Sequence, residues 1–346
     1  MSKEKKEHLL GRSQEQWEGW LKKNEEPSYR SKQIIHALTK EGEVNPLNIT
    51  SLPKNLREKL GLEFFSPNIT KAEIEENSGT SKFLIEADPA KVIETVWLPY
   101  EQRISLCVSI QSGCSLDCSF CATGKMPFKG NLSVGGVLAQ VNLAQQQMNK
   151  KITNVVFMGM GEPFYNYDNT IEAAKVLNAN EAYNIGAKKI TISTSGVLPG
   201  IESFLKTKQP YTLALSLHSA ISEKRKVLMD IEARYPLKEI TSLLQKERGR
   251  LRPNQLTLEY IMIENFNMEQ ADIKALSKLA KRLNAKVNLI PLNTAYADYR
   301  RPSEQQMDQF WQSLKDEGII AINRRSPGYS IAAACGMLAG KNSAVT

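Results

Sequence analysis

Three cysteines form the most reactive group that the sequence places in one short stretch. Cys114, Cys118 and Cys121 have the pattern Cys-x3-Cys-x2-Cys, and three thiolates on one loop can converge on a soft metal centre. A structural zinc site usually takes four ligands as two close pairs, and Cys107, in a strand-like run upstream, is a poor fourth ligand. Three ligands are typical of an iron-sulfur cluster with one iron left open. Zinc and unliganded thiols are the alternatives.

The sequence also contains two further cysteines, Cys107 and Cys335, which bring the total to five. An odd count, with a charged N-terminal stretch and no apolar run of about 18 residues, predicts a cytoplasmic protein without a disulfide framework or a membrane span. A free cysteine is ordinarily a small buried apolar residue. The small residues Ala332–Gly336 around Cys335 would instead allow a bulky partner to approach it.

A glycine-rich stretch, Gly159-Met160-Gly161-Glu162-Pro163, follows a predicted strand directly. Its two glycines would let a ligand approach the backbone, and Glu162 can accept a hydrogen bond from an ammonium group. The pattern lacks the third glycine of a dinucleotide fingerprint and the lysine of a phosphate loop. On the residues alone, a ligand site and a structural turn both remain possible.

Other polar residues lie at the ends of predicted strands, where barrel folds bind ligands. They are Ser193, Ser216 with Leu217 and His218, and Asn293. His218 is one of three histidines, and such a residue can equally be a satisfied structural side chain.

The elements that must position these residues alternate between strand and helix from about residue 92. The β-branched runs predict strands at 93–98, 106–110, 155–158, 189–194, 212–217, 256–263, 287–291 and 319–323. Amphipathic stretches between most of them predict helices at 134–148, 170–177, 201–206, 221–229, 237–247, 271–283 and 304–315. This alternation favours an α/β fold with a parallel sheet, either open or curled into a barrel.

The first part of the chain has a different pattern of apolar residues. Apolar residues recur at helical spacing around Trp17 and again around Ile34, and prolines separate the short segments. We therefore predict a helical accessory domain at residues 1–90 and a catalytic domain at 91–346.

The charge distribution suggests, without establishing, a polyanionic partner. The 346 residues contain 45 Lys and Arg against 37 Asp and Glu, a net charge of +8. Paired or alternating basic residues could contact phosphates, although a solvated surface explains them equally well. These clusters are Lys224-Arg225-Lys226, Arg248 with Arg250 and Arg252, Arg300-Arg301, and Arg324-Arg325.

The cysteine motif resembles that of the radical S-adenosylmethionine (radical SAM) enzymes, including the aromatic Phe120 before the last cysteine. The chain is further similar to the RlmN branch of RNA adenine methyltransferases and to their Cfr-type relatives. The matching segments occur in the expected order at 26–30, 106–111, 158–163, 193–196, 216–218 and 333–336. The resemblance implies a partial (α/β) barrel of the TIM-barrel type with a small N-terminal helical domain that binds RNA.

The resemblance also implies the cofactors and their ligands. Cys114, Cys118 and Cys121 would hold a 4Fe-4S cluster, and two SAM molecules would be used per turnover. The SAM-binding residues would be Gly161, Glu162, Ser193, Ser216, Leu217, His218 and Asn293. The substrates would be an adenine of 23S rRNA and one of tRNA, the electron donor a flavodoxin or ferredoxin, and the enzyme a monomer.

Within the same resemblance, the remaining reactive residues acquire catalytic roles. Cys335 would be methylated by the first SAM, and a 5′-deoxyadenosyl radical from the second would abstract hydrogen from that methyl group. The carbon radical would add to carbon 2 of adenine, an electron-poor position that polar methyl transfer does not reach. Cys107 would then release the adduct by a transient disulfide with Cys335, and Glu94 would remove the ring proton. Without the resemblance, Glu94 is simply a strand residue that faces solvent.

Two details qualify the resemblance. The family pattern around the methylated cysteine reads Asp-Ile-x-Ala-Ala-Cys-Gly-Gln-Leu, whereas this chain has Ser330 and Met337 at the acidic and glutamine positions. Pro163 and Ser195 favour the RlmN branch over the Cfr type, which methylates carbon 8 and tends to have Ala and Ile there. A hypothesis of another class is a non-catalytic RNA-binding protein with structural zinc.

Overall fold

The fold is described from a computed structural model, which covers residues 6–293, 299–324 and 327–339. Within these ranges, none of the helices combines the length and the apolar character that crossing a membrane requires. Arg325, part of one basic cluster named above, lies outside the described residues.

Strands occur throughout the described chain and are numbered in chain order. They are β1 (Glu7–His8), β2 (Phe64–Phe65), β3 (Asn68–Ile74), β4 (Ser81–Asp88), β5 (Lys91–Tyr100), β6 (Arg103–Cys107), β7 (Gln111–Ser112), β8 (Gly130–Asn131), β9 (Asn154–Phe157), β10 (Ile190–Thr194), β11 (Thr212–Ser216), β12 (Leu256–Met262), β13 (Lys286–Pro291) and β14 (Ala321–Asn323).

The α-helices are numbered in the same way. They are α1 (Gln14–Lys23), α2 (Arg30–His36), α3 (Lys54–Glu63), α4 (Val134–Met148), α5 (Tyr167–Asn178), α6 (Leu198–Lys206), α7 (Ser222–Leu228), α8 (Ile231–Arg234), α9 (Leu237–Lys246), α10 (Gln270–Leu283) and α11 (Glu304–Asp316). Short 3-10 helices lie at Pro46–Asn48, Ala122–Lys125, Pro163–Asn166, Ala187–Lys189 and Arg248–Arg250, and a π-helical turn at Ala37–Glu41.

One large sheet organises the molecule. Among the described residues it has ten strands in the order β14-β13-β12-β11-β10-β9-β6-β5-β4-β3. The strands from β14 to β6 are parallel, and β5, β4 and β3 extend the sheet in antiparallel fashion. Helices connect the parallel strands, as right-handed crossovers require. The predicted α/β fold with a parallel sheet is confirmed.

Local sequence signals explain where several helices begin and end. Ser13 and Gln16 form a capping box at the start of α1, and Ser133 caps α4 through the backbone N–H of Gly136. Asn149 ends α4 in the left-handed conformation. The predicted bounds of α4 match those observed, because both ends carry such signals.

The predicted helical segment 1–90 is wrong in its last third. Its helices end at Glu63, and residues 68–88 form the antiparallel hairpin of β3 and β4, which joins the main sheet. On β3 only Ile69 and Glu73 are partly buried and the other side chains are exposed, so this edge strand has little of the apolar periodicity that identifies a strand in a sequence. We call β3, β4 and the turn between them the edge hairpin.

One strand end also differs from the prediction. β6 ends at Cys107, although the apolar run continues to Ile110. Val108 still bonds to the β9 segment through its N–H and its C=O. The backbone leaves the ladder at Ser109, whose N–H and C=O bond to the buried side chain of Gln140 on α4. The chain then turns into the loop that carries the three clustered cysteines.

Candidate active site

The residues with predicted roles surround one large cavity at the carboxyl ends of the parallel strands. The cavity has about 1400 Å³ of empty space, including its open mouth. All five cysteines line it, as do Gly161, Glu162, Ser193, Ser216 and His218. In a parallel sheet the strand ends meet at one edge, and the tertiary structure therefore assembles a site from segments far apart in sequence.

The clustered cysteines lie on a loop whose two ends are held together. β7 and β8 pair in antiparallel fashion across it, and Gly113 is in the left-handed region with φ 78°, where an added Cβ would lie 2.4 Å from the carbonyl oxygen of Pro127. Burial raises the pKa of the Cys114 thiol to about 12 and also raises that of Cys118. A bound metal centre would reverse this preference, because it stabilises thiolates.

The donor set fits a cluster better than a single ion. In the described part of the chain, no three Cys, His, Asp or Glu side chains are grouped closely enough to hold one metal ion. In an iron-sulfur cluster each thiolate binds a different iron, so three sulfurs on the wall of one cavity need not meet at a point. Cys114, Cys118 and Cys121 all line this cavity.

Glu162 is held by a dense set of hydrogen bonds. Its Oε1 accepts from Thr194 Oγ1 at 2.7 Å and from the backbone N–H of Phe164 at 2.9 Å. Its Oε2 accepts from the N–H and the hydroxyl of Ser195, at 2.8 and 2.7 Å. Burial raises the pKa of Glu162, and these donors oppose the rise. The carboxylate therefore has a fixed orientation at the cavity wall.

The two glycines before Glu162 serve a purpose that the sequence did not reveal. Gly161 has φ 95°, and a Cβ there would lie 2.4 Å from Cβ of Gln111. A Cβ on Gly159 would lie 2.7 Å from Oγ of Ser109. The glycines let this loop approach the segment after β6, and that segment holds it through Gln111, which accepts from the Glu162 N–H at 2.9 Å.

Serines from neighbouring strands meet on the next part of the wall. Ser193 on β10 and Ser216 on β11 have hydroxyl oxygens 3.2 Å apart. His218 follows β11 with φ 56°, and burial lowers the pKa of its ring to about 3. Its Nδ1 accepts from the Ile261 N–H at 3.2 Å. The ring of Phe120 packs edge-on against the His218 ring, with the two ring centroids 4.8 Å apart. The ring is consequently neutral and oriented at ordinary pH.

Two predicted SAM-binding residues lie behind the wall. Leu217 is fully buried in the hydrophobic core. Asn293 donates from Nδ2 to the carbonyl oxygen of Cys335 at 3.3 Å, and its Oδ1 accepts from Arg301 at 2.6 Å. Asn293 thus connects the end of β13 to the segment that carries Cys335.

Cys107 and Cys335 face the same cavity although they are 228 positions apart in sequence. Both are free thiols. Burial raises the pKa of Cys107 to about 12. Cys335 is exposed, but the protein atoms around its sulfur also raise its pKa by desolvation, and the positive charge of Arg324 opposes this rise. This shared cavity is the arrangement that exchange between the two sulfurs needs.

Glu94 lies beside the cavity and not among its lining residues in the described structure. It is buried on β5, where Oε1 pairs with Lys82 Nζ at 3.3 Å and Oε2 accepts from the Ala339 N–H at 2.8 Å. Val96, two positions along the same strand face, does line the cavity. Glu94 therefore lies two positions from the cavity wall on β5, and its side chain is buried and does not face solvent.

Arg324 and Glu259 line the cavity but were not identified from the sequence as part of it. Arg324 follows β14, and its guanidinium lies 4.0 Å from Oε2 of Glu259 on β12. It also bonds to Tyr100 at the end of β5. This contact joins the end of β5 to the residue after β14, and the two strands are seven positions apart in the strand order. The sheet therefore curls towards a barrel.

Several of the basic residues that could contact phosphates have internal partners. Arg225 is fully buried, is paired with Glu232, and donates to the carbonyl oxygen of Ser195 at 2.5 Å. Arg225 fits neither a phosphate contact nor a solvated surface, since a buried and paired guanidinium cannot reach RNA. Lys224 pairs with Asp272 at 2.8 Å. Charge counts alone do not reveal such internal pairing.

Comparisons with known proteins agree with this geometry. A model of the Radical SAM superfamily matches residues 108–276, and membership of that superfamily implies a 4Fe-4S cluster and SAM as cofactors. A protein of Leptospira interrogans serogroup Icterohaemorrhagiae serovar Lai, named a probable dual-specificity RNA methyltransferase RlmN, is 40% identical over 323 residues, 92% of this chain and 91% of that protein. A protein of the same name from Dictyoglomus turgidum is 39% identical over 90% of this chain and 91% of its own length.

A solved structure supports the fold over nearly the whole chain. The crystal structure of a radical SAM methyltransferase from Sphaerobacter thermophilus has a TM-score of 0.91 and 35% identity, and the match covers 97% of this chain and 100% of that one. The predicted partial barrel is confirmed. The Cfr-type and zinc-protein alternatives are not favoured, because the relatives carry the RlmN name. The chain is an enzyme that belongs to the RlmN family of radical SAM RNA methyltransferases.

Proposed function

We propose that this enzyme methylates carbon 2 of adenine in 23S rRNA and in tRNA, with two SAM molecules per turnover. One observation carries the proposal: Cys107 and Cys335 open onto the cavity that also contains Cys114, Cys118, Cys121 and Glu162. A methyl carrier, its resolving thiol and the radical source must be this close for one adenine to reach all three.

The cavity wall would hold the cofactors. Cys114, Cys118 and Cys121 would bind the 4Fe-4S cluster, and the SAM site would comprise Gly161, Glu162, Ser193, Ser216, Leu217, His218 and Asn293. When bound, the cluster and SAM supply a 5′-deoxyadenosyl radical, which takes a hydrogen atom from a methyl group. The neutral ring of His218 and the fixed carboxylate of Glu162 would orient the SAM molecule without transferring protons.

The thiol pair would carry the methyl group. The thiolate of Cys335 attacks the methyl carbon of the first SAM, so that a carbon-sulfur bond forms as the sulfonium bond breaks. After the carbon is bonded to adenine, the adduct would lose the ring proton and one electron, which the 4Fe-4S cluster would accept. Cys107 then attacks the sulfur of Cys335 and a disulfide forms. The electron pair of the broken carbon-sulfur bond passes to the adenine, whose methylene carbon takes up a proton and becomes the methyl group. Arg324 would favour both thiolates, since its positive charge opposes the desolvation that raises their pKa values.

Glu94 would accept the proton of the adenine ring. Its carboxylate is held by Lys82 on one oxygen and by the Ala339 N–H on the other. To reach the adenine it would exchange the Ala339 contact for the substrate. Its position on β5, two residues from Val96 on the cavity wall, supports this role.

The partners follow from the same proposal. The RNA substrates would bind across the mouth of the cavity, residues 1–90 would contribute to RNA binding, and a flavodoxin or ferredoxin would supply electrons to a monomeric, cytoplasmic enzyme.

RNA analysis tests the function directly. RNA from a host lacking its own RlmN-type enzyme, complemented with this gene, should contain 2-methyladenosine in both 23S rRNA and tRNA by nucleoside mass spectrometry. Cys335→Ala should abolish the product, whereas the purified variant should still cleave SAM on reduction. A product with 8-methyladenosine alone, or methylation that persists in Cys335→Ala, would overturn the proposal.

A further inference from the structure

The segment that carries Cys335 is attached to the edge hairpin by one carboxylate. Glu75, in the turn between β3 and β4, accepts from the Gly328 N–H at 2.8 Å, from the Ser330 N–H at 3.2 Å and from the Ser330 hydroxyl at 2.6 Å. Three donors of one short segment thus converge on a single side chain. Such hydrogen bonds to a charged acceptor are stronger than neutral ones.

The hairpin turn is itself preorganised to present this carboxylate. The Ser78 hydroxyl donates to Glu75, and backbone bonds link Glu75 to Gly79 and Thr80 at 2.8 Å each. Gly328 packs so closely that an added Cβ would lie 2.9 Å from Cγ2 of Thr80 and 2.8 Å from Cβ of Ala333. The turn and the segment therefore fit together by shape as well as by hydrogen bonds.

The far side of the same segment is held by the cluster loop. The Ala122 N–H donates to the carbonyl oxygen of Gly336 at 2.8 Å, and the Thr123 hydroxyl donates to that of Leu338 at 2.6 Å. Cys335 lies between these two attachments. The position of its sulfur in the cavity consequently depends on both, and Glu75 supplies the one that precedes it.

The residue at position 330 is a hydrogen-bond donor to Glu75. Ser330 donates through both its N–H and its hydroxyl. An aspartate at this position would have no side-chain donor when ionised and would place a second negative charge against Glu75. The contact therefore depends on a neutral donor at position 330.

We propose that Glu75 is a positioning residue that seats the Cys335 segment through its hydrogen bonds to Gly328 and Ser330. The inference rests on the proposed role of Cys335 as methyl carrier. It assigns to the edge hairpin, outside the stretch that matches the Radical SAM superfamily, a task in the reaction: fixing the methyl-carrying sulfur relative to the cluster loop.

The electrostatic surroundings of Glu75 leave this carboxylate available to the segment. In the part of the chain that the structure describes, its hydrogen-bond partners are uncharged. On the same hairpin, Glu73 is paired with Lys71 and Lys82, and Glu76 is exposed. From the other side, Arg301 lies over the ring of Tyr329 at 5.6 Å. The contact between Glu75 and Ser330 is therefore the one that an added charge at position 330 would disturb.

The test compares charge and shape at both positions in the reconstituted full-length enzyme. Glu75→Gln and Ser330→Asp should each lower the rate of RNA methylation roughly tenfold, as expected for lost hydrogen bonds to a charged group. Ser330→Asn, which adds similar bulk without charge, should have a much smaller effect. Glu76→Gln changes an exposed neighbouring glutamate and should match wild type. Reductive SAM cleavage should stay close to wild type in all four variants.

The double variant and the pH dependence separate positioning from a general loss of structure. Glu75→Gln combined with Ser330→Asp should recover most of the activity that Ser330→Asp loses, because the glutamine amide can donate to the new carboxylate. For Ser330→Asp alone, the deficit should shrink from about pH 8 to about pH 6, since paired carboxylates raise each other's pKa and one becomes protonated.

The outcomes distinguish this inference from the proposed function. If wild type methylates neither Cys335 nor RNA, the proposed function fails. If wild type is active but Glu75→Gln and Ser330→Asp match it at each pH, the anchoring inference is wrong. A Ser330→Asp deficit without rescue in the double variant would also overturn it. Thermal unfolding of each variant identifies one that simply fails to fold, in which case the Ser330→Asn and Ser330→Asp comparison decides.

Discussion

At the scale of single residues, the site depends on side chains that orient other side chains. Ser195 donates twice to one oxygen of Glu162, and Thr194 and Phe164 hold the other. Ser195 is also one of the two positions that favour the RlmN branch over the Cfr type. An isoleucine there would keep the backbone donor and lose the hydroxyl, so the branch difference has a direct effect on the carboxylate.

Ser195→Ala should therefore weaken SAM binding without abolishing it. Removing one donor from a buried carboxylate is expected to raise the Kd for SAM by about 10- to 150-fold, because such a hydrogen bond contributes about 1.5–3 kcal/mol. Equilibrium binding to the reconstituted enzyme measures this effect. Ser242→Ala, at an exposed serine on α9, is the matched control. An unchanged Kd in Ser195→Ala would show that Glu162 needs only its other three donors.

At the scale of elements, α4 is packed tightly against the N-terminal strand. An added Cβ on Gly135 would lie 2.4 Å from both Nδ1 of His8 and the carbonyl oxygen of Leu10. Gly19, in the middle of α1, is exposed and has nothing within 4 Å of the same position. Gly135 is therefore required for the close packing of α4, whereas the surroundings of Gly19 leave room for a side chain.

The two corresponding alanine variants should change stability in opposite directions. Gly135→Ala should lower the free energy of unfolding by about 1–3 kcal/mol, because the backbone at Leu10 must shift. Gly19→Ala should raise it by about 0.5–1 kcal/mol through helix propensity. Chemical denaturation of both proteins measures the pair. A Gly135→Ala protein as stable as wild type would show that the N-terminal segment is not held against α4.

His8 connects the same segment to the edge hairpin, and its ring is held in one neutral form. Nε2 lies 2.9 Å from the carbonyl oxygen of Ala87, and Nδ1 accepts from the Leu10 N–H at 2.9 Å. Burial lowers the pKa of His8 below its ordinary value of 6.5, although Asp88 opposes this. Because the folded state binds the proton less tightly than the unfolded state, stability is complete above about pH 6.5 and falls as the pH drops.

Acidification should consequently loosen the N-terminal segment. Between about pH 7.5 and about pH 5.5, wild type should lose up to about 1 kcal/mol more unfolding free energy than His8→Gln, whose amide does not titrate. His36→Gln changes an exposed histidine and should retain the wild-type dependence. Equal pH dependence in wild type and His8→Gln would contradict the assignment of a lowered pKa to His8.

At the scale of the whole molecule, the cavity joins the two ends of the sheet. Tyr100 on β5 and Arg324 after β14 both line it, as does the segment around Cys335. A ligand in this cavity contacts the beginning and the end of the fold together. Ligand binding should therefore stabilise the whole partial barrel against unfolding, and not one of its elements alone.

SAM should stabilise the reconstituted enzyme as a unit. At about a hundred times its Kd, SAM is expected to add about 2.7 kcal/mol to the free energy of unfolding. Hydrogen exchange should slow both in β5 and in residues 327–339. Cys118→Ala, which removes a proposed cluster ligand, should show neither effect. Protection confined to the loop around Glu162 would contradict the idea that the cavity couples the two ends.

Much of this architecture follows from local sequence patterns. The alternation of β-branched and amphipathic segments predicted the parallel strands from β9 to β14 and the helix α4. The caps observed at Ser133 and Asn149 explain why α4 ends where it does. The edge hairpin was missed because it adjoins a helical stretch and exposes much of β3. Its strand pattern is short, and the contact between Glu75 and Ser330 links positions that no local signal connects.

The sequence is sufficient for the identity of the reactive groups, since the spacing of Cys114, Cys118 and Cys121 is a local property of one loop. It is also sufficient for the family, whose motifs occur in order along the chain. Which charged residues are free was settled by tertiary contacts alone: Arg225 is buried with Glu232, and Arg324 turns into the cavity beside Glu259. The physical reason is that pairing and burial depend on distances between remote segments, and those distances arise only when the sheet curls.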